Sequence, residues 1–214
     1  MGSKILAGLC AVLLLTIIIP FRLSGNCACQ DKKDTVKTTY IKSGSRTPGG
    51  IFITPSLGFE YPLKDFSGNS KYGLASGIKL EFASYNIYPL VIGIQYQYQN
   101  NPGKDDYVAL NLLNSFTTKI NSFGLSVDIL LNKYLKSNFT MPFVFLEARY
   151  LKVKREVSPV VVLPGIVNIE SVIGFGGGAG FTLYIFDIYG TYLYAKTYSS
   201  FGIKARFHFP LIKF

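Results

Sequence analysis

The sequence predicts an all-β fold, a transmembrane antiparallel up-and-down β-barrel of about eight strands. Apolar and polar residues alternate with a period of two in one segment after another from residue 51 onward, as in strands with one apolar face. Hydrophobic residues make up 49% of the 214 residues and charged residues only 16%, against about 25% in an ordinary globular chain. No uncharged apolar run of about 18 residues follows residue 22, so strands have to carry this hydrophobicity.

Residues 1–29 are predicted to be a secretory signal peptide. Lys4 supplies a short positive region, and the apolar run 5–19 leads to small residues around Cys27 and Cys29. This run is short for the roughly 20 residues that a transmembrane helix needs, which favours cleavage over an uncleaved anchor. We therefore expect the chain to be exported.

Two interpretations of Cys27 remain open. Cleavage just after Cys29 removes all three cysteines, Cys10 among them. Alternatively, Cys27 becomes a lipid-modified N-terminus, because the preceding LSGN resembles a loose lipobox, although Asn26 departs from the usual Gly or Ala. We favour simple cleavage. Neither a metal site nor a cofactor is predicted, since a Cys-x-Cys pair needs further ligands and His208 is the only histidine.

Residues 30–50 are predicted to be a polar, basic linker that ends in Pro-Gly-Gly, and residues 51–214 to be the barrel. Strands are expected at 51–62, 76–84, 90–99, 119–131, 143–151, 169–184, 187–198 and 201–209. Longer connections are expected at 64–71, 100–118 and 152–165. Short and long connections largely alternate, which is typical of a meander that closes into a barrel.

The composition of the polar face favours a membrane barrel over a soluble one. Alternation alone fits both, because a soluble barrel turns its apolar face inward and a membrane barrel turns it outward. The polar face is small, with Gly174, Gly176, Gly178 and Gly180 in one row, which suits a narrow lumen and weakens a solvated strand. Tyrosines lie near several strand ends, like the aromatic girdles at membrane interfaces: Tyr61, Tyr85, Tyr88, Tyr98, Tyr150 and Tyr184.

The signal peptide, the alternating strands and the terminal Phe214 together resemble the small eight-stranded outer-membrane β-barrel proteins of diderm bacteria. The resemblance covers about residues 51–214. It implies a location in the bacterial outer membrane and contacts with its lipids and lipopolysaccharide. It also implies that Phe214 belongs to the assembly signal that the barrel-assembly machinery reads.

The last strand departs from the pattern of that family. Stepping back by twos from Phe214 leads to the polar face, while Phe207, Phe209 and Leu211 are out of step. Pro210 cannot donate a hydrogen bond to a neighbouring strand. We therefore expect a bulge or break near Pro210 that resets the register.

The inferred lumen face carries nearly balanced acidic and basic residues. An eight-stranded barrel encloses only enough space for side chains, so these charges have to be paired or hydrogen-bonded. We interpret them as a network that plugs the lumen, with a narrow channel for small solutes as the alternative. The predicted lumen network is Glu60, Lys79, Glu81, Asp128, Glu147, Arg149, Glu170, Lys204, Arg206 and His208.

Enzymatic activity is not predicted, and no catalytic residue is assigned. Acyl-transfer chemistry needs a histidine beside a nucleophile and an orienting acid, whereas His208 stands alone on the final strand without a local serine. The GFGGGAG stretch opens no helix, so it does not fit a phosphate-binding loop. His208 is therefore interpreted as a hydrogen-bonding residue of the lumen or of the terminal turn.

The formal net charge of +10 indicates that the chain binds negatively charged partners. In a soluble protein it would suggest nucleic acid, but export favours anionic lipid headgroups. The basic KVKRE cluster is expected in a loop that can touch lipopolysaccharide phosphates, and the apolar VSPVVVLPG and YVALNLLNSF segments are candidate adhesive patches. We predict a structural or surface-interaction protein with an unidentified extracellular ligand; a soluble periplasmic ligand-binding barrel is a further alternative.

Overall fold

The computed structural model describes residues 49–132, 140–160 and 166–213. The predicted signal peptide, nearly all of the predicted linker and Phe214 lie outside these residues. The strands are β1 (Gly50–Pro62), β2 (Gly73–Ala83), β3 (Leu90–Pro102), β4 (Ser115–Leu130), β5 (Met141–Ser158), β6 (Ile169–Leu183), β7 (Phe186–Tyr194), β8 (Ser200–Phe207) and β9 (Phe209–Lys213). The helical elements are α1 (Phe66–Asn69), the 3₁₀ turn Tyr85–Ile87 and α2 (Asp105–Leu110). None of the described helices has the length and hydrophobicity needed to cross a membrane.

The strands form one closed antiparallel barrel. Each strand from β2 to β7 pairs with its neighbours in the chain, and β1 pairs with both β2 and β8. β9 continues β8 along the same side of β1, so the two are halves of one strand and the barrel has eight. Closure removes the unpaired edges that an open sheet would present. The predicted fold class is confirmed.

The last strand contains the expected irregularity. Phe52 pairs with Pro210, but Ile51 pairs with Ile212, so Leu211 is an extra residue on its strand. Leu211 and Ile212 are adjacent in sequence and both expose more than half of their surface, whereas alternation would bury one of them. The bulge near Pro210 is therefore confirmed, and it shifts the outward face from odd to even positions.

Burial is inverted relative to a soluble protein. On neighbouring strands the outward Leu125 and Leu146 are 57% and 67% exposed, whereas the inward Asp128 and Glu147 are 2% and 6% exposed. Alternation with period two places the leucine and the acidic residue of each strand on opposite faces. An apolar belt of this extent requires a nonaqueous surrounding, which places the barrel in a membrane.

The two ends of the barrel differ in their connections. At the end where the barrel begins and finishes, the strands are joined by residues 84–89, 131–140 and 184–185, and at the other end by residues 63–72, 103–114, 159–168 and 195–199. The connections at this second end are longer on average. In outer-membrane barrels the short turns face the periplasm and the longer loops face outward. We use periplasmic end and extracellular end in this sense.

Two predicted connections are shorter than expected. β5 continues to Ser158 because it stays paired with β4 as far as Ser115, so the KVKRE cluster lies on a strand instead of in a loop. β3 likewise runs to Pro102, and α2 occupies part of the predicted loop. The sequence prediction was wrong here because these strands continue beyond the membrane. In that part they remain paired, but their charged and polar residues no longer alternate with apolar ones. The extracellular ends of β4 and β5 consequently extend beyond the apolar belt.

Candidate functional site

Small residues make room for charged side chains inside the barrel. A Cβ atom on Gly93 would overlap the end of the Lys79 side chain, which reaches it from the neighbouring strand, two residues from the partner of Gly93. A Cβ on Gly202 would lie 2.9 Å from Cδ of Glu60. Glycine at these positions therefore allows long ionic side chains to fill a narrow lumen.

Arg206 is the centre of the first ion cluster. Its Nε, Nη2 and Nη1 atoms lie 2.5 Å from Asp187, 2.7 Å from Asp128 and 3.2 Å from Glu81. Lys79 Nζ lies 2.8 Å from Asp128 and 2.9 Å from Glu81. These side chains are all nearly completely buried, so each carboxylate depends on the protein for its counter-charge.

His208 completes this cluster. Its Nδ1 lies 3.0 Å from Oε2 of Glu81 and its Nε2 lies 2.8 Å from Oδ2 of Asp187. An ionised carboxylate only accepts hydrogen bonds, so a ring that satisfies both must carry a proton on each nitrogen. As an imidazolium, His208 is the third cation opposite three carboxylates. We call Lys79, Glu81, Asp128, Asp187, Arg206 and His208 the arginine cluster.

A second cluster lies deeper in the lumen. Lys204 Nζ is 2.6 Å from Glu60 and Arg149 Nη2 is 2.7 Å from Glu147. The Oε1 atom of Gln97 accepts hydrogen bonds from both Arg149 and Lys204, each at 2.8 Å. Two cations thus face two carboxylates around one amide. We call Glu60, Gln97, Glu147, Arg149 and Lys204 the glutamine cluster.

These clusters bring together nine of the ten predicted lumen residues. Glu170 lies apart from them, where its Oε2 accepts a hydrogen bond of 2.5 Å from the Tyr198 hydroxyl. Sequence reasoning missed Asp187 and Gln97. The faces of the seventh predicted strand were not distinct, but Asp187 pairs directly with Arg206 across β7 and β8, and that register identifies it.

A cluster of buried side chains, which we call the apolar cluster, lies at the extracellular end of the lumen. It consists of Phe66, Ile120, Leu151, Val153, Leu193, Ala195 and Tyr198, each at most 4% exposed. Phe66 comes from α1 and Tyr198 from the β7–β8 loop, with their rings edge to face at 5.6 Å. Burial and the hydrogen bond to Glu170 raise the pKa of the Tyr198 phenol to about 12.

The open space inside the barrel is unevenly distributed. The cavity between the two ion clusters, lined by Lys79, Gln97 and Arg149 among others, has a volume of about 20 Å³. This is room for about one water molecule. At the periplasmic end a cavity of about 360 Å³ has mainly apolar walls, and its lining includes His208 and Asp187. The open space is therefore much larger at the periplasmic mouth than between the two ion clusters.

Neither the protein-family models nor the curated protein sequences give a match to this chain. Among solved structures, it is similar to Neisserial surface protein A with a TM-score of 0.48 and 17% identity, over 76% of this chain and 99% of that one. It is also similar to the N-terminal β-barrel domain of Pseudomonas aeruginosa OprF, with a TM-score of 0.43 and 9% identity over 76% of this chain and 99% of that one. For Ail, the attachment invasion locus protein of Yersinia pestis, the TM-score is 0.42 and the identity 15%, over 75% of this chain and 99% of Ail.

The eight-stranded barrel itself confirms, at the level of the fold, the resemblance drawn from the sequence. Its apolar belt places it in a membrane, and a closed antiparallel barrel of this kind is the fold of proteins in the bacterial outer membrane. Outer-membrane lipids are therefore its immediate surroundings.

Proposed function

We propose that this chain is a closed outer-membrane barrel with a structural or surface-interaction role and no catalytic activity. The observation that supports the proposal is that two ion clusters occupy the lumen and the apolar cluster lies at its extracellular end. His208 supports a role without catalysis, because both of its ring nitrogens face carboxylates. The proposed partners are lipopolysaccharide, the barrel-assembly machinery and a ligand outside the cell.

Conductance measurements test the closed lumen against the narrow channel. The purified full chain, refolded and inserted into planar bilayers, is expected to show no stable conductance steps, because about 20 Å³ leaves no passage for a solute. The double variant Glu60→Ala, Lys204→Ala is measured for comparison. It removes a whole ion pair and so widens the centre of the lumen without leaving either charge unpaired. Stable steps from the unmodified chain would contradict the closed barrel and favour the channel.

Exposed leucines at the extracellular end favour a surface interaction. Leu110 and Leu112, at the end of α2, are 83% and 88% exposed, while the adjacent Leu113 packs beneath with Phe116. Leu112 also has a φ of 53°, in the left-handed region that costs a leucine about 1 kcal/mol. Two large apolar side chains held in water at a loop tip are typical of a contact surface.

An adhesion assay tests this role. Bacteria that display the chain are compared for attachment to epithelial cells and immobilised matrix with bacteria that display the Leu110→Ser and Leu112→Ser double variant. We expect the double variant to attach severalfold less, since it loses the exposed apolar surface without touching the barrel. The matched control is Tyr184→Ser at the periplasmic end, where the ring is equally exposed. Equal attachment by all three strains would remove the adhesive role.

A further inference from the structure

Three lysines point outward from the barrel wall on β4 and β5. On β5 the outward positions change from Leu146 and Tyr150 to Lys152 and Lys154. Lys154 pairs directly across the strands with Lys119 on β4. We call Lys119, Lys152 and Lys154 the basic row.

The basic row begins where the apolar belt ends. Tyr96, Phe123 and Tyr150 pair across β3, β4 and β5 and form one level of the outer surface, each about half exposed. The hydroxyl of Tyr96 donates a hydrogen bond of 2.7 Å to Asn121, the residue that pairs with Lys152. Aromatic residues with a polar end mark the membrane interface. Lys152 follows Tyr150 by two residues, about 7 Å along the strand, which puts its ammonium at the level of the lipid headgroups.

The row is not neutralised by the protein. Lys119 and Lys154 are like charges directly opposite each other, an arrangement that destabilises a strand pair. Glu156 lies 2.5 Å from Lys119 and 3.2 Å from Lys154, and it is the one acid within ion-pair distance of the row in the described part of the chain. The row therefore has three ammonium groups and one carboxylate, which contacts two of them.

We propose that the basic row binds the phosphate groups of lipopolysaccharide in the outer leaflet. The proposal rests on the proposed outer-membrane location and adds a defined lipid site to it. The lysines project sideways from the wall, into the lipid layer, so a headgroup beside the barrel reaches them more readily than a soluble partner above it. A phosphate group carries the concentrated negative charge that is needed to balance these ammonium groups.

Binding of phosphorylated and dephosphorylated lipopolysaccharide tests the site. The full chain, refolded in detergent and immobilised, is titrated with each form and with soluble polyphosphate. The test variant carries Lys119→Gln, Lys152→Gln and Lys154→Gln. We expect about a tenfold weaker affinity for intact lipopolysaccharide, because three exposed charge contacts are lost, and little change with the dephosphorylated form.

A second triple variant with Lys71→Gln, Lys104→Gln and Lys196→Gln is the matched control. It makes the same change in net charge at the extracellular end, but on residues of the connections between strands. We expect it to bind like the unmodified chain. A Lys→Arg triple at the basic row keeps the charge and should keep the affinity, which separates loss of the site from loss of folding.

Four results would overturn the proposal: equal binding by the row variant, an equal loss in the matched control, equal binding of the dephosphorylated form, or polyphosphate binding as tight as that of lipopolysaccharide. The last result would mean that the basic row binds anions in general. Insertion into vesicles is measured in parallel. A chain that does not insert contradicts the outer-membrane role itself, whereas one that inserts without discriminating between the lipids contradicts the lipid site alone.

Discussion

Arg206 is the residue on which the lumen contacts converge. It donates hydrogen bonds to Asp187 and Asp128, a third nitrogen lies 3.2 Å from Glu81, and its guanidinium lies 4.8 Å from the centre of the Phe143 ring. A planar group with several fixed donors can serve three acceptors at once, which a lysine ammonium does less well. The pairing of the lumen therefore depends strongly on this one side chain.

Replacing Arg206 by methionine tests this dependence. Arg206→Met leaves three buried carboxylates with only Lys79 and His208, so we expect the free energy of unfolding to fall by about 3–5 kcal/mol. The measurement is urea-induced unfolding in lipid vesicles followed by circular dichroism. Lys196→Met, at an exposed position, serves as the control and should change stability little. A loss in Arg206→Met no larger than in this control would contradict the central role.

Tyr198 makes stability depend on pH in the alkaline range. Its phenol has a pKa of about 12 in the folded protein against 10.0 for a free tyrosine, so the fold favours the neutral form. This contribution is complete below pH 10 and is lost as the pH rises through about 12. We expect the urea midpoint of Tyr198→Phe to fall less than that of the unmodified chain between pH 9.5 and 11.5. Since lysines titrate in both proteins, only the difference between them is informative, and parallel curves would contradict the prediction.

At the scale of elements, the bulge at Leu211 separates two registers of the last strand. Up to Pro210 the strand keeps the register that β8 has with β1, and from Ile212 onward it is shifted by one. A bulge accommodates one extra residue with a local bend and little change elsewhere. Leu211 therefore has no partner of its own in the pairing with β1.

Deletion of Leu211 is expected to be tolerated, because Ile212 then follows Pro210 in an unbroken pairing and still faces outward. Deletion of Ala205, inside the continuous part of β8, moves Lys204 out of the lumen or Arg206 toward lipid and should abolish folding. The folded fraction of each variant is measured after refolding in detergent. The interpretation of the bulge is wrong if the two deletions are equally harmful.

At the scale of the whole molecule, closure and inverted burial act together. In this closed barrel the strands β1 to β8 are each paired on both sides, so local opening has to break interstrand hydrogen bonds in the absence of water. The lumen clusters add ion pairs between strands that are distant along the chain, such as Lys204 with Glu60. We therefore expect unfolding to be cooperative and slow.

Heat-modifiable gel mobility tests this property. The detergent-extracted full chain is expected to migrate as a compact species when unheated and at the position of the unfolded chain after boiling, because dodecyl sulfate penetrates the closed barrel only on heating. The band of the Arg206→Met variant should convert at a lower temperature. Identical mobility before and after boiling would count against the closed barrel.

The sequence by itself determined the strands, their lipid face and the membrane surroundings, because alternation with period two is a local signal. Even the slip at Pro210 was readable, since two apolar series out of step cannot face lipid without an extra residue. Most of the lumen face followed from the same alternation, as the inward position of Arg206 opposite outward Phe207 illustrates.

Only the tertiary structure decided which charges meet. Arg206 and Asp128 are 78 positions apart, and their contact depends on strand order and register, which no local pattern encodes. Glu170 is on the same inward face as the clusters, but it lies at a different level along the barrel and so does not join them. Pairing with β4 likewise extended β5 through residues whose composition is typical of a loop. The face that a side chain takes is determined by its neighbours in the chain, whereas the side chains that it meets are determined by how the barrel closes.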